Sequence, residues 1–209
     1  TISGASSIAG PAANTGILAT GSNARFVFNG GVCGLCSTGF NVTNNALVNV
    51  SNVGFRRNIS DLVQDGASHV ILSTCTFELT DSVSDIDVQV SGAGTLAEII
   101  SCEFSGTDIL GNDQATSILV SDDGTINISG GVMHNYTTGL QVGTSLDTSS
   151  TKANVSGLII RDCTTDILQE GSSTLLFDSS TASSSKMSIN DSTNVELAFF
   201  DLDDNGSLT

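Results

Sequence analysis

Positive charge is scarce in this chain: 6 Lys and Arg face 22 Asp and Glu in 209 residues, a formal charge of −16 at pH 7. A surface this negative repels nucleic-acid phosphates and anionic leaflets, so neither nucleic acid nor membrane is an expected partner. Tryptophan is absent and Tyr136 is the only aromatic besides nine Phe, which leaves few rings to stack on sugars. No apolar run approaches the ~20 residues that span a bilayer. No basic flank followed by an apolar leader stands near Thr1, so either a leader has been removed or the chain is a fragment of a longer protein, and the fragment is the favoured reading. The five cysteines, Cys33, Cys36, Cys75, Cys102 and Cys163, are too few and too scattered for a disulfide framework. Charged residues make up 13% and apolar residues 39% of the chain. Ser, Thr and Asn must therefore supply most of the surface, as is common in secreted β proteins.

What the chain does have is a repeat. Apolar residues recur at offsets 0, 2, 5 and 7 in Val48, Val50, Val53 and Phe55, again in Val70, Leu72, Cys75 and Phe77, and again in Ala97, Ile99, Cys102 and Phe104. Ala153, Val155, Leu158 and Ile160 repeat the pattern, and weaker copies begin at Phe26, Ile126, Leu175 and Val195, eight in all. A further apolar site follows each of the first seven copies, at Phe40, Leu62, Ile86, Ile118, Leu140, Ile167 and Met187, and Leu18 completes a partial coil at the front. The basic period is 22, with longer steps of 27, 29 and 27 in the middle. Insertions confined to turns are a mark of repeat arrays.

Alternation at offsets 0 and 2, and again at 5 and 7, predicts two short strands with one face buried. Small or polar residues between them, such as Ser51-Asn52 and Ser129-Gly130, predict a sharp bend. A third strand ends in turn residues such as Asp65-Gly66 and Asp122-Asp123-Gly124. A coil of ~22 residues with three strands cannot bury its own interior, whereas stacked coils can. The expected fold is all-β: a single-stranded parallel β-helix of about eight coils over residues 1–209, with an irregular lead-in over 1–17 and an acidic tail over 203–209.

From Leu18 to Leu202 this pattern resembles the right-handed, pectin-lyase-like β-helix superfamily, whose coils have three strands and a tight, Asn-favouring bend. The resemblance implies a right-handed coil. It leaves activity open, because the superfamily holds lyases, hydrolases, esterases, adhesins and tailspikes.

Candidate chemistry is thin. The lyases of that superfamily use a basic residue with calcium-holding carboxylates; Arg56 and Arg57, sharing a face with Asp81 or Asp85, are the nearest arrangement and read as a solvated surface pair. The hydrolases need clustered aspartates with a His. Asp122, Asp123 and His134 are weak catalytic candidates, because the aspartates fall in a turn and the His follows a strand, on different edges. His69 reads as structural. Cys33-Gly-Leu-Cys36 leaves plain burial or a local disulfide open, and Cys75 above Cys102 leaves stacked thiols or a disulfide open. The tail residues Asp201, Asp203 and Asn205 copy the first half of a calcium loop without its closing carboxylate, so calcium is the one candidate cofactor. The Asn-x-Ser/Thr triplets at Asn41, Asn49, Asn58, Asn127, Asn135, Asn154, Asn190 and Asn205 read as by-products of the repeat. Of the inserted loops, Gly106–Thr116 offers Asp108, Asn112, Asp113 and Gln114 as binding residues.

These features point to a non-catalytic structural or adhesive β-helical segment of an extracellular, cell-surface or virion-surface protein. Its expected partners are a glycan or protein receptor, neighbouring parts of the same chain, or further copies of itself. The alternative is a polysaccharide lyase or glycoside hydrolase of the same superfamily.

Overall fold

The computed structural model describes residues 2–9, 14–78, 86–106, 114–147, 150–178, 180–182, 186–190 and 196–201. Among them every regular element is a strand. β1 (Ile2–Ala9) and β2 (Thr15–Thr20) open the stack. Two turns follow: β3 (Arg25–Gly34) with β4 (Thr38–Thr43), then β5 (Leu47–Arg56) with β6 (Ser60–Gln64). The third turn is β7 (His69–Ser73), β8 (Thr76–Glu78) and β9 (Ile86–Ser91). The fourth is β10 (Leu96–Ser105) with β11 (Gln114–Ser121), and the fifth β12 (Thr125–His134) with β13 (Tyr136–Val142). The sixth is β14 (Lys152–Ser156), β15 (Ile159–Arg161) and β16 (Thr165–Gln169). After it come β17 (Thr174–Asp178), β18 (Thr181–Ala182), β19 (Lys186–Asn190) and β20 (Glu196–Asp201).

The chain alternates between two sheets. An eleven-strand sheet runs β1-β3-β5-β7-β10-β12-β14-β17 and also holds β8, β15 and β18, while a nine-strand sheet runs β2-β4-β6-β9-β11-β13-β16-β19-β20. Each strand pairs parallel with its counterpart one turn on, except that β20 is antiparallel to β19. The fold is an all-β parallel solenoid.

The repeat explains the register. Val50 pairs with Leu72, Leu72 with Ile99, Ile99 with Ile128, Ile128 with Val155 and Val155 with Phe177, so one offset of the repeat becomes one column of the core. The first five of these residues are buried to 2% exposure or less. Burying each such side chain stabilises the fold by about 1.5–3 kcal/mol before chain entropy is subtracted. Another column stacks rings: Phe55 lies 4.7 Å from Phe77 and Phe77 lies 4.4 Å from Phe104, both pairs near-parallel. The bend is also a column. Gly30, Asn52, Thr74, Ser101, Gly130 and Gly157 occupy it with φ between 50° and 77°, the left-handed region that glycine enters freely and Asn tolerates.

Five expectations need correction. In β3, β5, β10 and β12 one ten-residue strand runs through the bend, so the coil builds two sheets rather than three separate strand stacks. The regular stack has about six turns, not eight. Of the copy predicted from Val195, Leu197 and Phe200 lie on β20, which folds back antiparallel on β19, while Val195 and Leu202 lie outside the described residues; part of the predicted lead-in is strand β1, paired with β3. Finally, Ile17 rather than Leu18 pairs with Phe40, and Val88 rather than Ile86 pairs with Leu62; Leu18 points outward and is 63% exposed.

Candidate functional site

The structure keeps the predicted catalytic residues apart. Asp122 and Asp123 sit in the turn after β11 with φ of 49° and 64°. There the Asp122 N–H donates to Asp147 Oδ1 at 3.0 Å, the Asp123 N–H donates to Thr151 Oγ1 at 3.2 Å, and Asp123 Oδ1 accepts from the Ser150 N–H. Asp147 is 2% exposed and also accepts from the Thr144 N–H and the Thr151 hydroxyl. These contacts pin an inserted corner. His134, at the end of β12, has Nε2 3.8 Å from Glu103 Oε1 and Nδ1 2.9 Å from Asn135 Nδ2, so its neighbours come from the other sheet's end of the coil.

Other polar groups bond from one turn to the next. Arg56 Nε lies 3.2 Å from Glu78 Oε2; Asp81 and Asp85 lie outside the described residues. His69 has Nε2 2.6 Å from Glu98 Oε1 on the following turn. None of the five cysteines is in a disulfide, and all five are buried. The Cys75 N–H donates to Cys102 Sγ at 3.4 Å, and the Cys75 thiol donates to Ser73 O; a thiol-to-thiol hydrogen bond with Cys102 and burial push the Cys75 thiol up.

Of the predicted loop, Gln114 opens β11 in register with Tyr136, while Asp108, Asn112 and Asp113 lie outside the described residues. Asp201 ends β20, and Asp203 and Asn205 also lie outside them. Among the described residues no three His, Cys, Asp or Glu side chains are placed to hold a metal ion. Of the glycosylation triplets, Asn58 is 2% exposed, which closes it to a glycan, whereas Asn49 and Asn154 are exposed on the eleven-strand sheet.

The strongest polar cluster was missed by the sequence reading, and it lies inside the solenoid. Strands of the nine-strand sheet turn two successive residues inward: Asp61 with Leu62, Asp87 with Val88, Ser117 with Ile118 and Asp166 with Ile167. Asp61, Asp87 and Ser117 stand in register on consecutive turns at 0% exposure. Asp61 Oδ1 accepts from Asn58 Nδ2 at 2.7 Å, and Asn58 in turn accepts from the Cys36 N–H and donates to Cys33 O. The fully buried Tyr136 hydroxyl donates to Asp87 Oδ2. Burial and the Asp87 charge hold the Tyr136 hydroxyl well above its ordinary pKa, partly offset by Ser117, and burial with Cys36 and Asp61 nearby pushes the Cys33 thiol up to about 12. The signal for this column was available: Gly39, Asp61, Asp87, Ser117, Gly139 and Asp166 each stand directly before the apolar core residue of the third strand, from Phe40 to Ile167. The glycine fits because a Cβ on Gly39 would come within 2.7 Å of Asp61 O. With no solvent route to it, the column can bond turn to turn but cannot meet a substrate.

On the outside, the eleven-strand sheet carries an open groove of about 280 Å³ near its C-terminal end, edged by Asn127, Ser129, Asn154, Ser156, Leu176 and Asp178. Asn154 Nδ2 donates to Asn127 Oδ1 at 2.9 Å along its floor. At the bend of the same sheet, Ser51 and Asn52 both donate to Asn29 Oδ1 and the Thr74 hydroxyl donates to Asn52 Oδ1. No family model, no curated protein and no solved structure matches this chain.

Proposed function

We propose that the chain is a non-catalytic structural or adhesive segment of an extracellular, cell-surface or virion-surface protein, a stalk that presents a receptor- or glycan-binding surface. One observation carries this reading: the outward polar side chains bond to the turn above or below, as Asn29 with Ser51 and Asn52, Asn127 with Asn154, Arg56 with Glu78 and His69 with Glu98. A rod whose surface groups tie its own turns together is built for rigidity. The resemblance to right-handed pectin-lyase-like helices agrees with this role and extends it to polysaccharide recognition.

The groove over Asn127, Asn154 and Leu176 supports the glycan-binding form of the proposal, since amides, hydroxyls and one exposed aliphatic side chain suit a neutral sugar. The test is a glycan array run beside reducing-sugar release from a polysaccharide panel that includes polygalacturonate, with and without calcium. Binding without turnover supports the proposal. Turnover that disappears in Asp122→Asn or Asp123→Asn overturns it in favour of the lyase or hydrolase.

A further inference from the structure

The outer face of the nine-strand sheet differs from the rest of this acidic molecule. The first seven of its nine strands, β2, β4, β6, β9, β11, β13 and β16, contain three charged residues, Asp61, Asp87 and Asp166, and all three point inward at 1% exposure or less; Lys186, Glu196 and Asp201 come only with β19 and β20 at its end. No charged side chain of these strands faces solvent. By contrast, the eleven-strand sheet exposes Arg56, Glu78 and Glu103, with side chains 46–61% accessible.

The middle outward column of the nine-strand face reads Leu18, Asn41, Val63, Gln89, Leu119, Gln141 and Leu168 in register from turn to turn. Aliphatic and amide residues alternate strictly, and the order is symmetric about Gln89. A two-fold axis lying in the plane of the face along or across this column sets aliphatic against aliphatic and amide against amide. An amide carries both donor and acceptor, so the central Gln89 complements its own copy across the axis, as an isologous interface requires, while Gln141 already donates to Gly143 O and Glu170 Oε2 and offers its carbonyl oxygen.

We infer that this face is where two copies of the chain pair. Charge supports a second copy as the occupant. Two molecules of −16 repel, and over its first seven strands this face turns no charged side chain of those strands outward, so copies pairing there keep most like charges apart, those beyond ~8 Å being screened at physiological salt. Depletion of charge at the centre is also how protein interfaces differ from other surface. Size agrees. Seven strands at ~4.8 Å spacing and about 20 Å of strand length give roughly 600 Å², close to the ~800 Å² per partner of a standard interface.

The experiment is sedimentation velocity on the 209-residue chain over a concentration series to about 100 µM, at about 0.05 and about 0.5 M NaCl. The wild type should be a dimer whose Kd stays level or falls at high salt, because no ion pair is lost and repulsion is screened. Gln89→Glu places two carboxylates together at the centre and should raise Kd about tenfold or more. Leu18→Glu, at a side chain already open to solvent, is the second variant and should weaken the dimer in the same direction. Asn49→Glu on the eleven-strand sheet should leave Kd unchanged, with circular dichroism checking that each variant folds. A monomer at every concentration overturns the inference. So does a dimer indifferent to both nine-strand variants or dissolved by Asn49→Glu.

Discussion

The hydroxyl of Tyr136 donates to the carboxylate of Asp87 across 49 positions of sequence, with both residues at 0% exposure. The contact skips a turn. Tyr136 belongs to the fifth turn and Asp87 to the third, so the phenol reaches past Ser117 to tie three turns together inside the core.

Tyr136→Phe should lower the unfolding free energy by about 1–3 kcal/mol, because it removes a donor from a buried carboxylate. Urea titration at pH 7 measures the loss. The pH dependence separates this bond from mere packing. In the unfolded chain the phenol ionises near 10, while in the fold it stays protonated well above that value. Its contribution is therefore complete below pH 10, and stability falls as pH rises further, by about 1.4 kcal/mol per pH unit at most. The Phe variant should lack that part of the alkaline decline; identical wild-type and variant slopes would show that the phenol is not held protonated.

Cys33 should be inert to thiol reagents in the native protein at pH 8 and reactive once the chain unfolds. Its folded pKa is pushed up to about 12 from an ordinary 9.0, and the thiolate is the reacting form. The same shift makes its contribution to stability complete below pH 9 and lost progressively between 9 and 12. Alkylation followed by mass mapping checks the first claim, and Cys33→Ala compared with wild type across that range checks the second.

Thr74→Asn should stabilise the solenoid by roughly 0.5–1 kcal/mol. Thr74 holds φ of 50° at the bend, which a β-branched residue adopts at a cost and Asn adopts more readily. The neighbouring Asn52 already sits there with φ of 54° and accepts the Thr74 hydroxyl at 2.9 Å. A raised thermal midpoint is the expected result, and a lowered one would mean that the hydroxyl bond outweighs the strain.

The spacing of Val48, Val50, Val53 and Phe55 was enough to read the solenoid, because stacking turns equal offsets into equal columns. Where two apolar residues stand side by side, as Ile17 and Leu18 do, spacing cannot say which one faces in, and the wrong one was chosen. Strand direction was also invisible: Leu197 and its neighbours alternate as a parallel strand would, yet β20 runs the other way. Asp61 and Asp87 were missed for a physical reason. A carboxylate in a β pattern is assigned to solvent by its desolvation cost, and only the structure shows Asn58 and Tyr136 supplying the donors that offset it.

The reversal at β20 bears on how such rods could join end to end. A copy docked coaxially would have to extend both sheets at once with its own first strands. Beyond β17 the eleven-strand sheet has no described neighbour and would accept a parallel strand. In the nine-strand sheet the hydrogen-bonding edge of β19 is already taken by β20, which presents the opposite polarity. A strand that continues the sense of the solenoid therefore pairs parallel with β17 but antiparallel with β20, so any further turn added here, from this chain or another, has to make the nine-strand sheet mixed at this point.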